Sequence, residues 1–136
     1  MEKIYESPRQ EIYLDSENSI LKNVWKKEDM EFEMTKNEME KWMEFFNKHN
    51  PTRLLTDNQI GQVLVPEIQA WVGGLLFPDI VEKGVMKWAV VSSDEIFARV
   101  SVEQMFDEVE NTEKDEFQQL FFKADDEEKA LNWLKE

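Results

Sequence analysis

Strand-like and helix-like patterns alternate along this chain, and that alternation limits the possible folds more than any other sequence feature. Beyond an N-terminal hairpin region, helical and extended patterns follow one another to the last residues. Such alternation favours parallel strands joined by right-handed crossover helices. A length of 136 residues suits one domain with one core. We therefore expect a single α/β domain over residues 1–136, with a mixed β-sheet and an antiparallel hairpin at one edge.

The predicted strands fall into two groups. Residues 3–25 carry short apolar runs separated by turn residues, which is typical of an antiparallel hairpin or meander. Its turn is predicted at 15–19, where short polar side chains can bond to their own backbone. Inner strands are predicted at 53–56, 86–91 and 117–122. The second of these, MKWAVV, is almost wholly apolar, as expected for a strand covered on both faces.

Two helix starts are predicted from capping-box spacing. Thr35 with Glu38, and Ser101 with Gln104, place a hydroxyl three residues before a side chain that can reach back to the cap. The first helix must end by Asn50, because a proline follows it. Helical spacing predicts that the apolar face of the helix near Ser101 consists of Val102, Met105, Phe106 and Val109.

Two further helices complete the pattern. The earlier one carries Pro66 in its first turn and is weakened near its end by Gly73–Gly74. A short helical turn can then restart at Phe77–Pro78 and close with Gly84 in a left-handed conformation. A final helix should be capped by Asp125 or Asp126. It should pack through Ala130, Leu131 and Leu134.

The charge balance excludes several partners. Thirty acidic residues against 16 basic ones give a formal net charge of -14. Such a surface repels phosphate backbones and anionic headgroups, so no nucleic-acid partner is expected. No apolar run is long enough to span a membrane, and the start MEKIYESPRQ lacks signal-peptide features. We expect a cytoplasmic protein, with the acidic stretch 108–116 as a solvated connection.

No group of residues in the sequence indicates catalysis or cofactor binding. The chain has no cysteine, which excludes disulfides and thiol chemistry. The single histidine, His49, suits a helix C-terminus, where its partial positive charge is favourable. Glu103, Asp107 and Glu110 have the spacing of a solvated helix face. Glycine-rich phosphate loops do not occur. We expect neither enzyme activity nor a metal or other cofactor.

Two polar loops are the predicted binding site. In open α/β sheets, ligands and partners meet the loops beyond the carboxyl ends of parallel strands. Here the loop after the first inner strand contains Asp57, Asn58 and Gln59. The loop after the second contains Ser92, Ser93 and Asp94. Both loops should lie at the same end of the sheet, as a surface for a partner or ligand.

The order of elements and several segments resemble the STAS superfamily. The segments are Trp25 closing the hairpin, RLLTDNQ, PEIQAWV, GVMKWAVV, SVEQMF and DDEEKALNWLKE. The resemblance is to the SpoIIAA-like branch of small stand-alone bacterial proteins, related to anti-sigma-factor antagonists and to CRAL-TRIO lipid-binding domains. In the antagonists, the loop that corresponds to residues 57–60 carries Asp-Ser-Ser-Gly, and its second serine is phosphorylated. Asp57 matches the Asp, but Gln59 takes the place of the phosphorylated serine and Ile60 that of the glycine.

The resemblance implies a non-enzymatic protein-interaction or regulatory module that lacks the phosphoacceptor. The alternative is a binder of a small apolar or lipid-like ligand, since abundant Met, Phe and Trp residues could line a cavity. A lipid that remains bound during purification would favour the alternative, and a fully packed interior would count against it. The exposed edges of such a sheet also favour a homodimer.

Overall fold

The computed structural model describes residues 1–28, 31–107 and 117–136, apart from the side chains of 75–77. The strands are β1 (Glu2–Glu6), β2 (Gln10–Asp15), β3 (Ile20–Trp25), β4 (Arg53–Asp57), β5 (Lys87–Val91) and β6 (Gln118–Phe122). The α-helices are α1 (Phe32–His49), α2 (Pro66–Trp71), α3 (Phe77–Glu82), α4 (Ile96–Asp107) and α5 (Glu127–Lys135). A π-helical turn, Val72–Leu76, joins α2 to α3.

The strands form one mixed sheet in the order β1-β2-β3-β4-β5-β6. The pairs β1/β2 and β2/β3 are antiparallel, and the remaining neighbours are parallel. The predicted α/β fold with an antiparallel edge is therefore confirmed. When consecutive parallel strands are neighbours in a sheet and all crossovers have the same hand, the crossover helices lie on one face of the sheet. The helices α1 to α4 do pack on one face of this sheet. The last helix, α5, covers the other face.

Alternation along the inner strands divides the core into two layers. On β4, Leu54 faces the larger cluster under α1 to α4, whereas Leu55 faces the cluster under α5. Both side chains are fully buried. The predicted stripe of α5 also packs here, with Ala130 and Leu134 buried. The nearly continuous apolar sequence of β5 is explained by this coverage on both faces.

The first capping-box prediction is wrong. The helix begins at Phe32, and Thr35 lies inside it, donating its N–H to the Glu31 carbonyl at 3.0 Å. Phe32 packs against the core, which extends the helix by a turn at its start. The Glu38 side chain does not reach back to the helix start, because it is buried against β1.

The second capping-box prediction is also wrong. The helix α4 begins at Ile96, and Ser101 lies inside it. The Glu95 carboxylate accepts the Ala98 N–H at 2.8 Å, and the Ser93 hydroxyl accepts the Glu95 N–H at 2.9 Å. These two side chains satisfy the helix start earlier than the predicted cap. The Ser101 hydroxyl donates instead to the Ala98 carbonyl, 2.8 Å away.

Several local predictions are confirmed. The first helix ends at His49, and Asn50 adopts the left-handed conformation with φ 47°. Gly84 is left-handed with φ 98°. The Gly73–Gly74 pair lies in the π-helical turn, a type of irregularity often found near functional sites. Asp126 occupies the cap position of α5 but makes no side-chain capping bond. The predicted connection at 108–116 and Val109 lie outside the described residues.

Candidate functional site

The two predicted loops lie side by side at the carboxyl end of the parallel strands. The Asn58 N–H donates to the Val91 carbonyl at 3.0 Å, which joins the loop after β4 to the end of β5. Gly61 approaches so closely that a Cβ there would be 3.1 Å from the Ser93 hydroxyl, and its φ is +88°. The Ser92 N–H donates to the Phe122 carbonyl at 2.8 Å, so the end of β6 belongs to the same edge.

Burial divides the six predicted site residues into two groups. Asn58, Ser92 and Ser93 are buried, whereas Asp57 and Gln59 are half-buried and Asp94 is exposed. The Asn58 side chain accepts the Gln62 N–H at 3.0 Å and donates to the Gln62 carbonyl at 2.9 Å. That side chain therefore holds the loop closed rather than presenting itself to a partner.

Gln59 links the loop after β4 to the turn between β6 and α5. Its N–H and its side-chain Nε2 donate to the Asp57 carboxylate at 2.9 and 3.1 Å. Its Oε1 accepts the Asp125 N–H at 2.8 Å. Asp125 adopts φ 70°, in the turn before α5. The predicted loops and the β6–α5 turn are thus joined into one acidic edge.

Beneath this edge lies a cavity between the sheet and the helices α1, α3 and α4. It has a volume of about 50 Å³. Four aromatic residues line it, namely Trp25, Trp42, Trp88 and Phe106. Trp42 stacks on Trp88 with centroids 5.9 Å apart, and Trp88 meets Phe106 edge-on at 5.1 Å. The π-helical turn contributes Val72. The lining residues within the described part of the chain include no charged side chain.

Polar side chains form a hydrogen-bonded ladder along one wall of the cavity. The Trp88 indole N–H donates to the Thr56 hydroxyl at 2.9 Å, and that hydroxyl donates to Asn23 Oδ1 at 2.8 Å. Asn23 Nδ2 donates to Gln10 Oε1 at 3.2 Å, and Gln10 Nε2 donates to the Glu38 carbonyl at 3.0 Å. Connected networks of this kind hold buried groups in one arrangement. The ladder therefore fixes the shape of that wall.

Two other lining residues have polar atoms without partners. Trp42 Nε1 and Gln62 Oε1 are buried and have no hydrogen-bond partner. The residues are 6% and 3% exposed. Gln62 uses its Nε2 to donate to the Thr35 hydroxyl at 3.4 Å. An unpaired buried donor or acceptor costs about 1–3 kcal/mol, so each such group in a native core requires an explanation.

A buried carboxylate lies beyond the end of the ladder. Glu38 accepts the Tyr5 hydroxyl at 3.0 and 3.1 Å, and it also accepts the Ser7 hydroxyl. Burial raises the pKa of Tyr5, and the neighbouring Glu38 carboxylate raises it further. Both side chains lie outside the lining of the cavity.

The sequence suggested a cavity lined by Met, Phe and Trp only as an alternative and located none of its residues, although the strands carry a signal for its polar wall. Asn23 and Thr56 are paired in register on β3 and β4, at positions that face the larger core cluster. Polar residues at inward positions of otherwise apolar strands are the pattern that could have indicated a buried polar wall. Trp42 and Gln62 carry no comparable signal, because an indole on an apolar helix face normally predicts core packing.

Within the three described segments, no group of histidine and carboxylate side chains is arranged to hold a metal ion. None of the helices described is both long and apolar enough to cross a bilayer. Comparison with protein-family models, with curated proteins and with solved structures finds no match for this chain.

Proposed function

We propose that this protein is a non-enzymatic binding module whose interior cavity takes up a small, mainly apolar ligand. The observation that carries this proposal is the cavity of about 50 Å³ among the buried side chains of the larger core cluster. Ligand sites are typically apolar and aromatic, with a few polar groups that fix orientation. The walls formed by Trp42, Trp88 and Phe106, with the polar ladder beside them, have that composition.

The volume limits the size of the ligand. A water molecule needs about 10–15 Å³ on this measure, so the cavity holds about three to five water-sized groups. A short organic molecule fits this space, as does the end of a longer chain. The ligand's apolar part would contact the aromatic wall and gain the free energy of leaving water, about 0.8 kcal/mol for each buried methylene.

Xenon provides a direct test of the cavity, because it enters dry apolar cavities without forming hydrogen bonds. Xenon NMR should detect binding to the parent protein and its loss in Val102→Phe, which fills the lining from α4. The matched control is Val100→Phe on the same helix, where the side chain is 39% exposed. Val102→Leu gives a milder filling if the larger ring prevents folding. A parent protein that binds no xenon would contradict the proposal.

A second candidate function is capture of a partner protein at the acidic edge formed by the loops. It is favoured by the hydrogen bonds that join the two predicted loops and the β6–α5 turn, with Asp94 exposed and Asp57 half-buried. The resemblance to STAS modules supports the same function. The variant Asp94→Ala, at an exposed position, should keep the parent melting temperature and lose the proteins that the parent retains. Full retention by Asp94→Ala would count against this surface.

A further inference from the structure

Beyond its size and apolar character, the ligand of the cavity can be specified by its hydrogen bonding. Trp42 Nε1 is a donor and Gln62 Oε1 is an acceptor, and both are buried without a partner in residues that line the cavity. We infer that the cavity binds a neutral ligand whose polar group accepts a hydrogen bond from Trp42 and donates one to Gln62. A hydroxyl group and a primary amide both have this chemistry.

The other polar groups of the wall are already engaged. Asn23 and Thr56 bond to one another and to the rest of the ladder, and the Asn58 side chain bonds to the Gln62 backbone. These groups orient the wall but have less capacity for a ligand. Hydrogen bonds to Trp42 and Gln62 would therefore add most to the free energy of ligand binding, because they would remove the cost of two unpaired buried groups.

The ligand should be uncharged. Among the described lining residues none carries a charge that could pair with an ion. The nearby buried carboxylate, Glu38, is outside the lining and accepts the hydroxyls of Tyr5 and Ser7. Burial of an unpaired ion is far more costly than burial of a neutral polar group. A carboxylate or ammonium ligand would therefore bind much more weakly than the matching alcohol.

The inference rests on the proposed function, and three probes of equal non-hydrogen size separate the two. Pentane forms no hydrogen bond, diethyl ether only accepts, and 1-butanol both accepts and donates. Affinities would be measured by NMR titration for the parent, Trp42→Phe and Gln62→Met. Trp133→Phe, on the opposite face of the sheet, is the control. For each probe, the affinity of the variant is divided by that of the parent. Differences in the hydration of the free probes cancel in this ratio.

Each variant should produce its own pattern. Trp42→Phe should weaken the binding of 1-butanol and of diethyl ether about tenfold, or about 1.4 kcal/mol, and leave the binding of pentane nearly unchanged. Gln62→Met should weaken only the binding of 1-butanol, by a similar factor. Equal changes for all three probes would overturn the inference and leave the proposed function standing. Failure of the parent to bind any of the probes, together with no xenon signal, would contradict the function itself.

A measurement on the parent alone guards against variants that fold poorly. The indole N–H resonance of Trp42 should move on addition of 1-butanol or diethyl ether, because a new acceptor reaches it. Pentane should produce a much smaller shift. An ordered water that already satisfies both groups would give the same small response to all three probes, and that result would overturn the inference.

Discussion

The hydroxyl of Tyr5 on β1 donates a hydrogen bond to the carboxylate of Glu38 on α1, at 3.0 and 3.1 Å from its two oxygens. Glu38 is only 7% exposed and is bonded to hydroxyl groups rather than to a cation. The bond ties the outermost antiparallel strand to the first helix. The free energy of unfolding should therefore depend on this one hydroxyl.

Tyr5→Phe should lower the free energy of unfolding by about 1–3 kcal/mol, because it removes a donor from a buried charged acceptor. Urea denaturation of parent and variant would measure the change. Tyr13→Phe is the matched control, since Tyr13 lies on the neighbouring strand with its side chain on the opposite face. Equal losses in the two variants would show that the Glu38 bond contributes nothing specific.

The same contact predicts an alkaline dependence of stability. Burial, with the Glu38 carboxylate, raises the pKa of Tyr5 above its ordinary value of 10.0. Because the pKa of Tyr5 is higher in the folded than in the unfolded protein, the stabilisation is fully present below pH 10. It is lost as pH rises from 10 through the pKa of the folded state. The free energy of unfolding should fall more steeply above pH 10 in the parent than in Tyr5→Phe. Parallel pH profiles would contradict this assignment.

The turn between β2 and β3 predicts an acid dependence. The side chain of Asn18, followed by its backbone N–H, lowers the pKa of Asp15 by donating to its carboxylate at 2.9 and 3.0 Å. This stabilisation is present above the ordinary value of 3.8 and is lost as pH falls below it. Asn18→Ala should make the loss of stability below pH 3.8 shallower, measured by thermal melts. Ser16→Ala, at an exposed turn position, should leave the slope unchanged.

Two glycines with open surroundings should respond in opposite directions to alanine. A Cβ at Gly74 or at Gly84 would meet nothing within 4 Å, but only Gly84 has a positive φ, of +98°. Gly74→Ala should raise stability by about 0.5–1 kcal/mol through lower entropy of the unfolded chain. Gly84→Ala should lower it by about 1–2 kcal/mol, because the left-handed conformation strains an L residue. Destabilisation of both variants in calorimetry would show that alanine does not fit the backbone conformation at Gly74.

The order of elements could be predicted because apolar periodicity reflects burial directly. The run MKWAVV predicts β5, and the stripe containing Ala130 and Leu134 predicts α5. Helix starts were less predictable, because tertiary contacts override local capping chemistry. Glu38 bonds to β1, and Ser101 bonds within α4, accepting also the Leu64 N–H at 2.9 Å. Neither contact can be read from spacing along the chain.

The candidate site was predictable only in part. The loops at Asp57 and Ser92 follow adjacent parallel strands, so their common edge follows from the alternation of elements. The cavity does not follow from it, because Trp42 and Gln62 lie on different elements and line the same cavity through the packing of α1 on the loop after β4, where Gln62 bonds to Thr35. Their unpaired atoms depend on distances that no sequence pattern fixes.

The loop after β4 should contain one residue that the fold requires. Asn58→Ala should lower the free energy of unfolding by about 1–3 kcal/mol, because Asn58 is 4% exposed and its side chain makes both bonds to the Gln62 backbone. Asp94→Ala, at an exposed position, should change it by less than about 0.5 kcal/mol. Chemical denaturation of the two variants would measure the difference. Equal stabilities would mean that the Asn58 bonds are replaced by water. If the difference is found, loss of partner capture in Asn58→Ala reports loop unfolding, and only an exposed position such as Asp94 can test recognition at this edge.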